Sequence, residues 1–172
     1  KTDKRALGLF FYAIKLQKMG FLYMRILVFI FVLIISIGLQ SCNSTVKSVY
    51  RDDFRSASKT EIENIQKEAN AKSSNKSILF LTQVYKGEKI IISQNGKTIY
   101  SEYPITNLNN RIASYLSFNN QQDLVIKDIS SKKEILIPTK KSSKHKYVYV
   151  MKKVTKGKFQ FIITYSNTLR PI

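Results

Sequence analysis

The stretch from Ser77 to Tyr165 breaks into short apolar runs separated by turn residues, and this pattern most constrains the fold. At its centre Asn95-Gly96 lies between two β-rich runs, and an Asn-Gly pair in this setting is the strongest short-range signal for a hairpin. We predict strands at 77–85, 89–94, 97–103, 111–118, 123–129, 133–137, 145–153 and 158–165. A series of about eight short strands without a helical period predicts an all-β fold.

The spacing of these runs favours a single small antiparallel β-sandwich, Ig-like or similar, of about seven or eight strands. A small closed barrel is the alternative architecture. A segment of about ninety residues can bury one hydrophobic core but hardly two, so one domain is expected.

The last predicted hairpin contains an aromatic pair whose role the sequence leaves open. Tyr147 and Tyr149 share one strand face, while Val148 and Val150 share the other. The two tyrosines either form part of the core or provide an exposed aromatic platform beside lysines.

A second feature lies near the amino terminus, where the apolar run Ile26–Gly38 follows Arg25. Its length matches the 7–15 residue core of a secretory signal and falls short of the roughly 20 residues that a spanning helix needs. Cys42, the single cysteine of the chain, follows closely.

The residues Leu39-Gln40-Ser41-Cys42 resemble the lipobox of bacterial lipoproteins, with an aliphatic residue, a small residue and then cysteine. The resemblance implies that the Cys42 sulfur carries a diacylglycerol and that the signal is cut between Ser41 and Cys42. The membrane is then a partner through N-terminal acyl chains. Two alternatives remain: Cys42 is an ordinary buried cysteine, or the apolar run is an uncleaved signal anchor.

These features divide the chain into four parts. Met24, or alternatively Met19, is the expected start, so the residues before the signal are expected to lie outside the native protein. The predicted parts are upstream residues 1–23, a signal peptide 24–41, a lipid-anchored tether 42–75 and a basic β-sandwich domain 76–172.

The tether contains one helix signal. Ser58 and Glu61 form a capping-box pattern, and apolar residues follow at helical spacing. A short helix over about 59–71 is therefore expected.

The chain is strongly basic, with 29 Lys and Arg against 11 Asp and Glu and a net charge of +18. The range 76–172 contains 17 of the basic and 5 of the acidic residues, so the charge belongs to the predicted domain. We expect a candidate patch for an anionic lipid, glycan or protein partner. Its residues are Lys132, Lys133, Lys140, Lys141, Lys144, Lys146, Lys152, Lys153 and Lys156.

The abundance of lysine can also arise without any ligand. A coding bias toward Lys, Ile and Asn would enrich it, and lysine protects sheet edges from aggregation. Nucleic acid is not an expected partner, because the implied export and the scarcity of arginine argue against base recognition.

No catalytic or metal-binding pattern is present in the sequence. His145, the one histidine, lies between Lys144 and Lys146 with no associated nucleophile motif. Asp123 and Asp128 could form a carboxylate pair only through tertiary structure. We therefore expect no enzyme activity, no cofactor and no metal.

The expected function is that of a non-catalytic bacterial envelope lipoprotein whose β-sandwich binds anionic envelope ligands. By resemblance to enteric lipoproteins, Asn43 after the cysteine lacks the inner-membrane retention signal, which implies the outer membrane, with the domain facing the periplasm. The alternative is a protein-interaction role as an accessory, immunity or inhibitor lipoprotein of an envelope complex.

Overall fold

A computed structural model describes residues 46–155 and 158–172, which form nine strands and two helices. In chain order these are β1 (Val46–Tyr50), α1 (Lys59–Glu68), β2 (Lys76–Leu81), β3 (Ile90–Gln94), β4 (Lys97–Glu102), β5 (Ser114–Asn119), β6 (Leu124–Asp128), β7 (Lys133–Ile137), α2 (Thr139–Ser142), β8 (Tyr147–Thr155) and β9 (Lys158–Ser166). All eight predicted strands are present, with ends shifted by up to four residues.

The strands form a five-stranded sheet, β1-β9-β8-β2-β5, and a four-stranded sheet, β4-β3-β6-β7. The predicted all-β sandwich is confirmed. The smaller sheet is antiparallel throughout, but β1 pairs with β9 and β2 pairs with β8 in parallel. The pairing is therefore mixed rather than purely antiparallel, because these partners are distant in sequence and are not joined by a hairpin.

The main core fills the space between the two sheets. In β3 and β6 the inward residues alternate with partly exposed ones, as expected for strands with one buried face. The buried members from both sheets include Leu79, Leu81, Ile90, Ile92, Leu124, Ile126, Val148, Val150, Phe161 and Ile163.

A second core lies on the outer face of the five-stranded sheet, beneath α1. Ile65 of α1 packs in a cluster with Phe80, Tyr147 and Tyr149. The Phe80 and Tyr149 rings stack with centroids 5.0 Å apart. The two tyrosines are therefore core residues rather than an exposed platform, because the helix covers them.

Residues 46–75 belong to the folded unit rather than to a tether ahead of it. β1 is hydrogen-bonded to β9, and α1 contributes to the second core. The domain therefore begins well before the predicted boundary at residue 76.

Helix α1 confirms the predicted amino-terminal cap but ends earlier than expected. The Ser58 hydroxyl accepts a hydrogen bond from the Glu61 amide at 3.2 Å. The Glu61 carboxylate accepts from the Ile172 amide at 2.7 Å, so it ties the helix to the chain's last residue.

The sandwich has two chemically different ends. The first, here called the β8–β9 end, carries the turn between those strands, the β6–β7 turn and the beginnings of β1 and β3. The second, the α2 end, carries α2, the Asn95-Gly96 turn and the beginning of β8.

Candidate functional site

The predicted lysine patch is divided between the two ends of the sandwich. Lys132, Lys133, Lys152 and Lys153 lie toward the β8–β9 end, and Lys140, Lys141, Lys144 and Lys146 lie at the α2 end. Lys156 falls outside the described residues. Lys146 and Lys152 are six residue steps apart along extended chain, which is about 20 Å. The structure therefore does not bring these lysines together in one patch.

Lys152 is not a surface residue, since its side chain is 1% exposed. It continues the inward series of Val148 and Val150 on β8 and points into the space between the sheets. Its ammonium group pairs with Asp128 at 2.7 Å and with Glu88, and it lies 4.6 Å from the centroid of the Tyr85 ring. Lys152 is thus a structural cation that links the two sheets.

The two carboxylates are held in their charged form by this cation. Burial alone raises the pKa of Asp128, but hydrogen bonds from Lys152, Ser130 and Ser131 outweigh that effect, and the pKa lies below its ordinary value. The pKa of Glu88 is also lowered, because bonds from Lys152 and the Lys86 amide outweigh burial.

The depressed pKa values predict a loss of stability in acid. Because the folded state holds these carboxyl groups at lower pKa, their stabilisation is complete above the unfolded value of about 4 and disappears as the pH falls through the folded values. We expect the free energy of unfolding to fall more steeply between about pH 5 and pH 2 in the wild type than in Asp128→Asn. Urea unfolding at several pH values measures both slopes, and equal slopes would contradict the assignment.

A basic pocket lies beside this ion cluster at the β8–β9 end. It has a volume of about 330 Å³ and is lined by Lys127, Asp128, Ile129, Lys132, Lys133 and Glu134. Lys127 pairs with Glu134 at 3.0 Å, and the Lys133 ammonium donates to the Phe159 carbonyl at 3.0 Å. Lys132 is exposed. Two of the pocket's three ammonium groups are engaged in these contacts, so Lys132 is the one of the three placed to reach a phosphate or carboxylate group.

At the α2 end, two of the four lysines make local structural contacts. The Lys141 ammonium donates to the Ser48 hydroxyl at 2.9 Å. The Lys146 ammonium donates to the carbonyls of Ser73 and Lys76, both at 2.9 Å. Lys140 and Lys144 are exposed.

His145 packs in an aromatic cluster at the α2 end. Its ring centroid lies 5.6 Å from that of Tyr50 and 5.5 Å from that of Tyr165. Its Nδ1 lies 2.8 Å from the Lys141 carbonyl, which only accepts, so Nδ1 is the protonated donor. These contacts give His145 a structural role.

Asp123 and Asp128 lie at opposite ends of β6 and do not form a carboxylate pair. Asp123 accepts hydrogen bonds from the amide and hydroxyl of Thr139, both at 2.7 Å, and so holds the beginning of α2, while Asp128 belongs to the ion cluster. Within 46–155 and 158–172, no group of three or more His, Cys, Asp or Glu side chains is placed to bind a metal.

The predicted lipidation and cleavage residues, Cys42 and Ser41, lie outside the described residues. Neither helix in the described part of the chain has the length and apolar character needed to cross a bilayer. No protein-family model matches this sequence, and no curated protein matches it.

Proposed function

We propose that this chain is a bacterial envelope lipoprotein, anchored through acyl chains on Cys42, whose β-sandwich binds anionic envelope ligands without catalysis. The observation that carries the proposal is the open pocket with Lys132 exposed at its edge and Lys127 and Lys133 in its wall, at the end of the sandwich where β1 begins. An outer-membrane position facing the periplasm is part of the same proposal, by resemblance to enteric lipoproteins that have no aspartate after the cysteine.

The charges at the β8–β9 end support an anionic ligand. Three of the four acidic side chains described at this end are paired, Glu88 and Asp128 with Lys152 and Glu134 with Lys127, while Glu102 is exposed at the end of β4. The exposed ammonium groups of this end therefore give it a positive local potential. Each lysine near an anionic lipid surface contributes about 1 kcal/mol, which salt weakens.

The test compares two double charge reversals that change the net charge equally. Lys132→Glu with Lys153→Glu alters exposed lysines at the β8–β9 end, and Lys140→Glu with Lys144→Glu alters exposed lysines at the α2 end. We expect the first pair to weaken binding of the full-length protein to polyphosphate in neutral detergent by about tenfold or more. The second pair should have a much smaller effect, as measured by calorimetry.

Equal weakening by the two variants would show a general effect of net charge and would contradict a site at the β8–β9 end. Binding by the wild type that does not weaken as salt is added would also argue against the electrostatic mechanism.

The second candidate function is protein interaction, and one observation favours it. β4 is an edge strand of the smaller sheet, and five of its six residues are exposed, including Ile99. An edge of this kind can accept a strand from a partner protein. A stoichiometric partner that copurifies in detergent and is lost in Ile99→Lys would support this function over the first.

A further inference from the structure

Exposed apolar side chains are concentrated at one end of the sandwich. Ten large apolar residues are exposed in the described part of the chain, and seven of them belong to the β8–β9 end. These seven are Val46, Tyr103, Ile105, Leu108, Ile129, Val154 and Phe159. Single exposed apolar residues are ordinary on protein surfaces, but a concentration of this kind indicates an interaction surface.

The topology places these residues at the same end of the sandwich, although they come from distant parts of the sequence. Val154 and Phe159 are cross-strand neighbours beside the β8–β9 turn, and Val46 begins β1 next to β9. Ile129 follows β6 directly at the same end.

The loop that follows β4 is fixed to this end by backbone contacts. The Gly87 amide donates to the Pro104 carbonyl at 3.0 Å, and the Thr106 amide donates to the Tyr85 carbonyl at 2.9 Å. The Thr106 hydroxyl donates to the Thr82 carbonyl at 2.8 Å. These bonds hold Ile105 and its neighbours beside the segment that leads from β2 into β3.

Lysines are interspersed among the apolar side chains. Lys47, Lys86, Lys132 and Lys153 are exposed at this end, and the Lys89 ammonium lies 5.8 Å from the centroid of the Tyr103 ring. An apolar surface surrounded by cations is the composition that binds the interface of an anionic bilayer. Lysine also suits this position, because its stem contacts apolar groups while the ammonium reaches phosphates.

A short connection joins the proposed lipid anchor, Cys42, to the beginning of β1 at this end. Only residues 43–45 lie between Cys42 and Val46. Four Cα–Cα steps of at most 3.8 Å hold the Cys42 Cα within about 15 Å of the start of β1. An acylated Cys42 in the membrane therefore keeps the beginning of β1, which belongs to the β8–β9 end, close to the bilayer surface.

We propose that the β8–β9 end docks on the anionic bilayer in which the chain is anchored. The apolar side chains enter the boundary between headgroups and acyl chains, and the lysines contact lipid phosphates. The proposal rests on the lipid anchor of the proposed function, and it specifies the anionic ligand as the surface of the same membrane.

The chain contains no tryptophan, so single tryptophans can report on this surface. Leu108→Trp and Phe159→Trp place the probe at the β8–β9 end, where the native residues are 87% and 39% exposed. Leu136→Trp is the matched control, since Leu136 is 54% exposed on β7 away from this end. The full-length acylated protein is reconstituted in vesicles containing phosphatidylglycerol and brominated lipid.

We expect the two β8–β9 probes to show blue-shifted emission and quenching by brominated lipid of about twofold or more, with little quenching of the control. Quenching should fall in high salt or in vesicles of phosphatidylcholine alone. Quenching at the β8–β9 end no greater than at Leu136→Trp, in protein whose mass confirms acylation, would overturn docking and leave the anchor intact.

Two further outcomes separate the proposals. A reconstituted protein without acyl chains would overturn the anchor itself. Probes shielded from aqueous quencher in native membranes, but not quenched by brominated lipid in pure vesicles, would identify a protein as the occupant of this surface and would overturn bilayer docking.

Discussion

Replacement of Lys152 by alanine is expected to lower the free energy of unfolding by about 3–5 kcal/mol. The change removes the cation between Asp128, which is 2% exposed, and Glu88, and leaves both carboxylates without their partner between the sheets. Removing one member of a buried ion pair is more damaging than removing the pair, because the remaining charge has lost its hydration. Denaturant unfolding of the full-length protein in detergent measures the change.

Two further variants test whether the uncompensated charge causes the loss. Lys153→Ala changes the exposed neighbour on the same strand and should alter stability by no more than about 0.5 kcal/mol. Adding Asp128→Asn and Glu88→Gln to a Lys152→Met background removes every charge of the cluster and should recover most of the lost stability. Similar effects of Lys152→Ala and Lys153→Ala would contradict the structural role of Lys152.

Substitution of Cys42 by serine is expected to abolish acylation completely. In the lipoprotein family the acyl group is attached to the cysteine sulfur, and a serine hydroxyl does not replace that thiol. Metabolic labelling with palmitate in a bacterial host should mark the wild type and leave Cys42→Ser unlabelled and unprocessed. Under the proposed anchor, the variant lacks the contribution of about 0.8 kcal/mol per buried CH₂ that acyl chains would make to membrane binding.

Ser41→Ala is the control for this substitution, because it keeps a small residue before the cysteine. The variant should be processed and labelled like the wild type. Labelling that persists in Cys42→Ser would place the acyl group elsewhere and contradict the proposed anchor.

The parts of the fold that could be predicted from sequence are those determined by neighbouring residues. Alternation of apolar residues and the Asn95-Gly96 pair predict β3, β4 and their hairpin. The Ser58 cap likewise predicts where α1 begins. β1 has no such local signal, because its short sequence, with Lys47 and Ser48, forms a strand only through parallel pairing with β9, more than a hundred residues away.

The ion cluster around Lys152 and the distribution of the lysines could not be predicted from local sequence, because both depend on the tertiary structure. The position of Lys152 in series with Val148 and Val150 indicates an inward side chain, but Glu88 and Asp128 meet it only when the two sheets pack together. The described lysines of the predicted basic patch do not form one patch, because β7 and β8 carry the chain from one end of the sandwich to the other and back, with Lys140, Lys141, Lys144 and Lys146 at the far end.

The exposed apolar residues of the β8–β9 end likewise could not be recognised as one surface from the sequence. Val46, Leu108 and Phe159 are unrelated in sequence, and each alone is an ordinary exposed residue. Only the strand order brings them to the end at which the chain leads back to Cys42.

The most direct test of the lipid anchor is the intact mass of the mature protein extracted from the membranes of a bacterial host. We predict the mass of residues 42–172 plus two or three acyl chains. An unmodified chain that still carries residues 24–41 would show an uncleaved signal anchor and contradict the proposed lipoprotein. A soluble chain without acyl groups would contradict the envelope location as well.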